Sequence, residues 1–95
     1  MNASIAIQVL PTVPENEIIR VVDAVIAYIR STGYRYAVGP FETTVEGDYD
    51  GLMEIVRRAQ LICVENGASG AMTYVKINYK PEGVWTIDQK ISKHQ

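Results

Sequence analysis

Residues 39–50 read GPFETTVEGDYD, and this stretch decides the fold. Gly39-Pro40 is a turn signal. Residues 41–45 have the aromatic and β-branched content of a strand. Gly47 breaks that strand, and Asp48 stands where an N-cap belongs, just ahead of an apolar periodic run. The segment therefore predicts a turn, a strand, a break and a helix start in immediate succession. It also carries Glu42, Glu46, Asp48 and Asp50, four of the chain's eleven acidic residues, beside the hydroxyls of Thr43 and Thr44.

The flanks extend the pattern. Upstream, residues 34–38 alternate Tyr34, Tyr36 and Val38 against Arg35 and Ala37, and the Gly39-Pro40 turn joins them to strand 41–45 as a hairpin. Downstream, a helix is predicted over 49–66, with Leu52, Ile55, Val56, Ala59, Ile62 and Cys63 as its apolar stripe. Asn66-Gly67 stops it. Further out, residues 4–10 form a strand with Ile5, Ile7 and Val9 on one face, opposite Ala6, Gln8 and Leu10, and Pro11 ends it. Residues 14–32 switch to a helical period carried by Ile18, Val22, Val25, Ile26 and Ile29. Glu15 and Glu17 suit the positive end of that helix, and Gly33 follows its last turn. Residues 71–80 are the longest strand, with Thr73, Val75, Ile77 and Tyr79 opposite Met72, Tyr74, Lys76, Asn78 and Lys80. After the Pro81-Glu82-Gly83 turn, Thr86 and Gln89 have capping-box spacing and start a short C-terminal helix.

The predicted order is β-α-β-β-α-β with a C-terminal extension. This is an α+β, ferredoxin-like split βαβ sandwich in one domain. Right-handed crossovers place both long helices on one face of a four-stranded antiparallel sheet. The other face, with Gln8, Glu42, Thr44, Glu46, Tyr74 and Lys76, is expected to be uncovered and hence available for binding or for subunit contacts.

Ninety-five residues with 47% hydrophobic and 21% charged content describe a folded chain whose core is thin, which favours oligomerisation. A net charge of −2 argues against nucleic acid as a partner. With one cysteine, Cys63, neither an internal disulfide nor a thiol-based zinc cluster can form. The N-terminus has no basic segment leading into an apolar one, and no apolar run reaches the length of a membrane span. A soluble cytoplasmic protein, without a membrane partner, is the expectation.

GPFETTVEGDYD, with YIRSTGYRY before it and YVKINYKPEG after it, resembles a family of small ferredoxin-like thiamine-binding proteins. The likeness extends from the first strand to the WTIDQK segment and rests mainly on Thr43-Thr44, Glu46-Gly47 and the Gly33 and Gly39 turns. The resemblance implies a non-enzymatic protein that binds thiamine or its hydroxymethylpyrimidine precursor. It also implies a homotetramer, a dimer of dimers, or a dimer of tandem-duplicated chains. No metal and no cofactor beyond a thiamine-type ligand is expected.

Thiamine presents an aminopyrimidine, a cationic thiazolium and a hydroxyethyl tail. Its site needs a carboxylate, short hydrogen-bonding partners and an aromatic or apolar wall. Glu42 and Glu46 are the candidate carboxylates; Thr43, Thr44 and Gln8 the candidate hydrogen-bonding partners; Phe41, Tyr36, Tyr74 or Trp85 the wall. Each has a plainer reading. Glu42 and Glu46 also fit as strand charges pairing with Lys76 across the sheet, Thr43 as a core-face residue, Thr44 as simple β-propensity, and Trp85 as packing for the C-terminal segment. His94 falls in a terminus expected to be disordered. For an enzyme the chain offers no nucleophile with a plausible base, no internal histidine and no metal spacing. The main alternative to a vitamin carrier is an assembly module whose open sheet face serves only oligomerisation.

Overall fold

The structure is a computed structural model that describes residues 1–93. His94, and with it the expectation of terminal disorder, lies outside the described residues. Four strands form one antiparallel sheet in the order β2-β3-β1-β4: β1 is Ala3–Pro11, β2 Arg35–Val38, β3 Thr43–Gly47 and β4 Ala71–Tyr79. Helices α1 (Ile18–Ser31) and α2 (Tyr49–Glu65) pack on one face, and α3 (Ile87–Lys93) closes the described chain. The α+β split βαβ sandwich expected from the sequence is present.

The core lies between the sheet and the two long helices. Ile5, Ile7 and Val45 from the strands meet Val21, Val25 and Ile29 from α1 and Leu52, Ile55, Ala59, Ile62 and Cys63 from α2. Burial of large aliphatic side chains at this density contributes about 1.5–3 kcal/mol each. Asp48 caps α2: its Oδ2 accepts from the Gly51 N–H at 2.8 Å, and its Oδ1 accepts from the Tyr34 hydroxyl at 2.6 Å. Gly47 and Gly51 leave the room that the Tyr34 ring occupies, since a Cβ at either position would fall on that side chain.

Three expectations shift at the edges. Helix α1 begins at Ile18 after a 3₁₀ turn at Glu15–Glu17, because Pro14 and the acids after it form a tighter first turn. Strand β3 begins at Thr43, so Phe41 and Glu42 belong to the turn rather than the strand. The reason is local: the Gly39 N–H donates to the Glu42 carbonyl at 2.9 Å and closes a loop across Pro40-Phe41, leaving Val38 opposite Thr43 as the last pair. Within α1, the deeply buried row is Val21, Val25 and Ile29, whereas Val22 and Ile26 are half-buried and Ile18 is exposed.

The open sheet face is not wholly uncovered, and this corrects the expectation. Helix α3 lies over one end of it, with Ile87 buried there. The capping box is formed as its spacing predicts: Thr86 Oγ1 accepts from the Gln89 N–H at 3.0 Å, and Gln89 Oε1 accepts from the Thr86 N–H at 2.7 Å. Arg35 on the sheet edge pairs with Asp88 at 2.8 Å. Beneath this helix Ser4 and Glu46 become buried polar residues.

Candidate functional site

Sheet register creates a concavity on the helix side. Strand β1 pairs with β3 only from Ala3 to Ile7, while it pairs with β4 along its whole length to Pro11. Beyond Ile7 one side of β1 has no neighbouring strand. The chain that would have filled that space is the Gly39–Glu42 loop, which curls away instead. Helix α1 overhangs the gap with its second apolar row, Ile18, Val22 and Ile26. The result is a groove of about 240 Å³ between α1, the free side of β1 and the β2–β3 turn.

Its walls are almost entirely apolar. Val22 and Ile26 come from the helix, Leu10 from β1, and Val38 and Pro40 from the turn. Polar residues are few along it: Gln8, Thr43 and Glu42. Of the lining residues, Glu42 alone has a charged side chain. That carboxylate is partly shielded, with 34% of its side chain exposed, and its Oε2 lies 3.0 Å from Lys76 Nζ on β4. The cross-sheet pair named as the plainer reading of Glu42 is thus present, and the same residue borders the groove. A mostly apolar concavity with a carboxylate-bearing residue at its border suits a flat, largely apolar molecule carrying a cation or clustered N–H donors.

The other candidates divide. Gln8, Phe41, Glu42 and Thr43 all border the groove, Phe41 79% exposed at its rim and Gln8 with its side chain on the open-face row of Ala6 and Tyr74. Thr44 lies on the opposite sheet face, in a cross-strand row with Ala6 and Lys76, and lines a second, shallower cleft there with Ser4, Asn78 and Lys90. Tyr74 stands exposed on that face opposite Gln8, its hydroxyl donating to Met72 Sδ at 3.2 Å. Tyr36 packs against the core, and its hydroxyl accepts from Arg30 Nε at 2.9 Å, a bond that raises the guanidinium pKa above its ordinary value. Glu46 is buried under α3, and its Oε2 accepts from the Ile87 N–H at 2.6 Å. Trp85 is exposed, with the Lys93 ammonium over its ring.

The lining residues that sequence reasoning assigned to the core include Ile18, Val22, Val25, Ile26 and Ile29. A signal for them exists: seven apolar β-branched residues between Ile18 and Ile29 make a stripe wider than one row of core contacts needs. Among the described residues no group of three or more histidine, cysteine or acidic side chains is arranged to hold a metal, and no helix is long and apolar enough to cross a membrane.

Residues 5–95 match the model of the family described as thiamine-binding protein. A UPF0045 protein of Clostridium perfringens is 48% identical over 94 residues, which span 99% of this chain and 98% of that protein. A domain of unknown function from Bacillus cereus superposes with a TM-score of 0.91 at 38% identity, covering 100% of this chain and 91% of the other. A candidate thiamine biosynthesis/salvage protein of Thermotoga maritima superposes with a TM-score of 0.87 at 34% identity, each chain being covered in full (100%).

Proposed function

The chain belongs to the thiamine-binding protein family, and on that premise we propose that it binds thiamine, or the hydroxymethylpyrimidine moiety of thiamine, without chemically changing it. The observation that carries this reading is the placement of Glu42, the one charged residue lining an otherwise apolar groove that also holds Gln8 and Thr43. In the proposed complex the Glu42 carboxylate meets the aminopyrimidine or the thiazolium cation. Gln8 and Thr43 hydrogen-bond the ring nitrogens, and the α1 row of Ile18, Val22 and Ile26 forms the apolar wall. Glu46 is left out of the proposed site, because its carboxylate is already occupied by the α3 backbone.

The protein is further proposed to act as a cytoplasmic homotetramer built as a dimer of dimers. Exposed apolar residues along the edge strand β4, Met72 and Tyr74 on one face and Ile77 and Tyr79 on the other, support self-association. The same surface favours the second reading, an assembly module with no small-molecule ligand. Thermal unfolding with increasing thiamine or hydroxymethylpyrimidine decides between them, because a ligand that binds only the folded state raises the midpoint with its concentration. The carrier reading expects a rising midpoint in the native protein and a much smaller rise in Glu42→Gln. A flat response to both compounds, with tetramers in light scattering, supports the assembly reading instead.

A further inference from the structure

The Glu42 carboxylate is paired with Lys76, so a ligand could meet it only by exchanging that partner. The two residues lie on opposite sides of β1, Glu42 in the β2–β3 turn and Lys76 on β4, and their ion pair at 3.0 Å bridges the sheet between them. Lys76 is not a groove residue. Its side chain is 76% exposed and borders the neighbouring cleft with Thr44 and Asn78. A long, solvated lysine can therefore leave the carboxylate by side-chain rotation alone, with no movement of backbone.

We propose that Lys76 is an internal competitor for the carboxylate of the groove: a cationic or N–H-donating ligand engages Glu42 by displacing the Lys76 ammonium, so Lys76 sets the affinity of the site. This rests on the reading that Glu42 recognises the ligand. Two consequences follow from the exchange. The ion pair, being exposed, weakens ligand binding by a modest factor, about two- to fivefold. And because one cation replaces another at the same carboxylate, binding to the native protein changes the number of charge pairs little and depends only weakly on salt. Without Lys76, binding of a cation creates a new pair that salt screens.

Calorimetric titration of thiamine into the native protein, Lys76→Met and Lys76→Gln at low and high ionic strength tests this. Both variants are expected to bind about two- to fivefold more tightly than the native protein at low salt, with the advantage shrinking as salt rises. Unchanged or weaker binding by both variants, while the native protein binds, overturns the competitor role and leaves the carboxylate reading standing. A gain that salt does not reduce also overturns it, since the benefit would then come from packing rather than from freeing a charge. Binding by the variants but not by the native protein supports the role in its strongest form. Binding by none of the three removes the carboxylate reading and the competitor together.

Discussion

Glu46 and Ile87 stand 41 residues apart in the chain and 2.6 Å apart in the fold, the carboxylate of one accepting the backbone N–H of the other. Glu46 is 8% exposed, so this bond is made largely out of water and fastens the first turn of α3 to the sheet. Arg35–Asp88 adds an exposed pair at the same joint. Replacing Glu46 by Ala leaves the Ile87 N–H without its acceptor, at a cost of about 1–3 kcal/mol. The expected outcome is local: faster hydrogen exchange and proteolysis in residues 87–93, with the sheet and both long helices intact. Unaltered protection of α3 in that variant would show that Glu46 does not hold it.

Gly51 illustrates how tertiary contact reverses a local preference. In the first turn of α2, Gly51→Ala should help the helix by about 1 kcal/mol on propensity alone. A Cβ there falls on the Tyr34 hydroxyl and comes within 2.9 Å of Asp48 Oδ1. The Tyr34–Asp48 bond must give way, and overpacking of this kind costs about 1–3 kcal/mol. The variant is expected to melt below the native protein, measured by circular dichroism.

Asp48 links that same contact to pH. The Tyr34 hydroxyl, and after it the Gly51 N–H, hold the Asp48 carboxyl below the usual carboxylate range. Its contribution to stability is complete above the unfolded value of about 3.9 and is lost as pH falls through the lower folded value. Tyr34 is pushed up, chiefly by its bond to Asp48, so its contribution is present below about pH 10 and is lost as pH rises through the raised value. Asp48→Asn keeps a side-chain oxygen for the cap but cannot titrate. Its stability is expected to fall less steeply than the native protein's in urea melts taken below about pH 4. Parallel acid limbs in the two proteins would remove Asp48 from the account.

Groove residues and core residues of α1 should separate by experiment. Val22 lines the groove and is half-buried, so Val22→Phe places a ring in the cavity of about 240 Å³. The midpoint without ligand is expected to stay near the native one, while the thiamine-dependent rise disappears. Val21 is 0% exposed in the core and does not line the groove, and Val21→Ala is expected to lose about 0.5–3 kcal/mol whether or not ligand is present. A Val22→Phe protein that still responds fully to thiamine would place the ligand elsewhere.

Short-range patterns carried most of the architecture. Alternation at Ile5, Ile7 and Val9, helical periodicity in α1 and α2, the Asp48 cap and the Thr86–Gln89 capping box are set by residues within a few positions of one another. Sequence alone therefore determined the element order, the class of fold and which faces look inward. It also singled out Gln8, Phe41, Glu42 and Thr43, which the fold brings to one groove. What it left open depends on distant pairing. The groove exists because β1–β3 register stops at Ile7, and that stop follows from a loop closed between Gly39 and Glu42. Glu46 lies under α3 and Glu42 beside Lys76 because strands far apart in sequence are neighbours in the sheet. An acid in or beside a strand reads the same in either setting; only the tertiary structure, by choosing its neighbour, decided that one carboxylate fastens a helix while the other pairs with a lysine across the sheet.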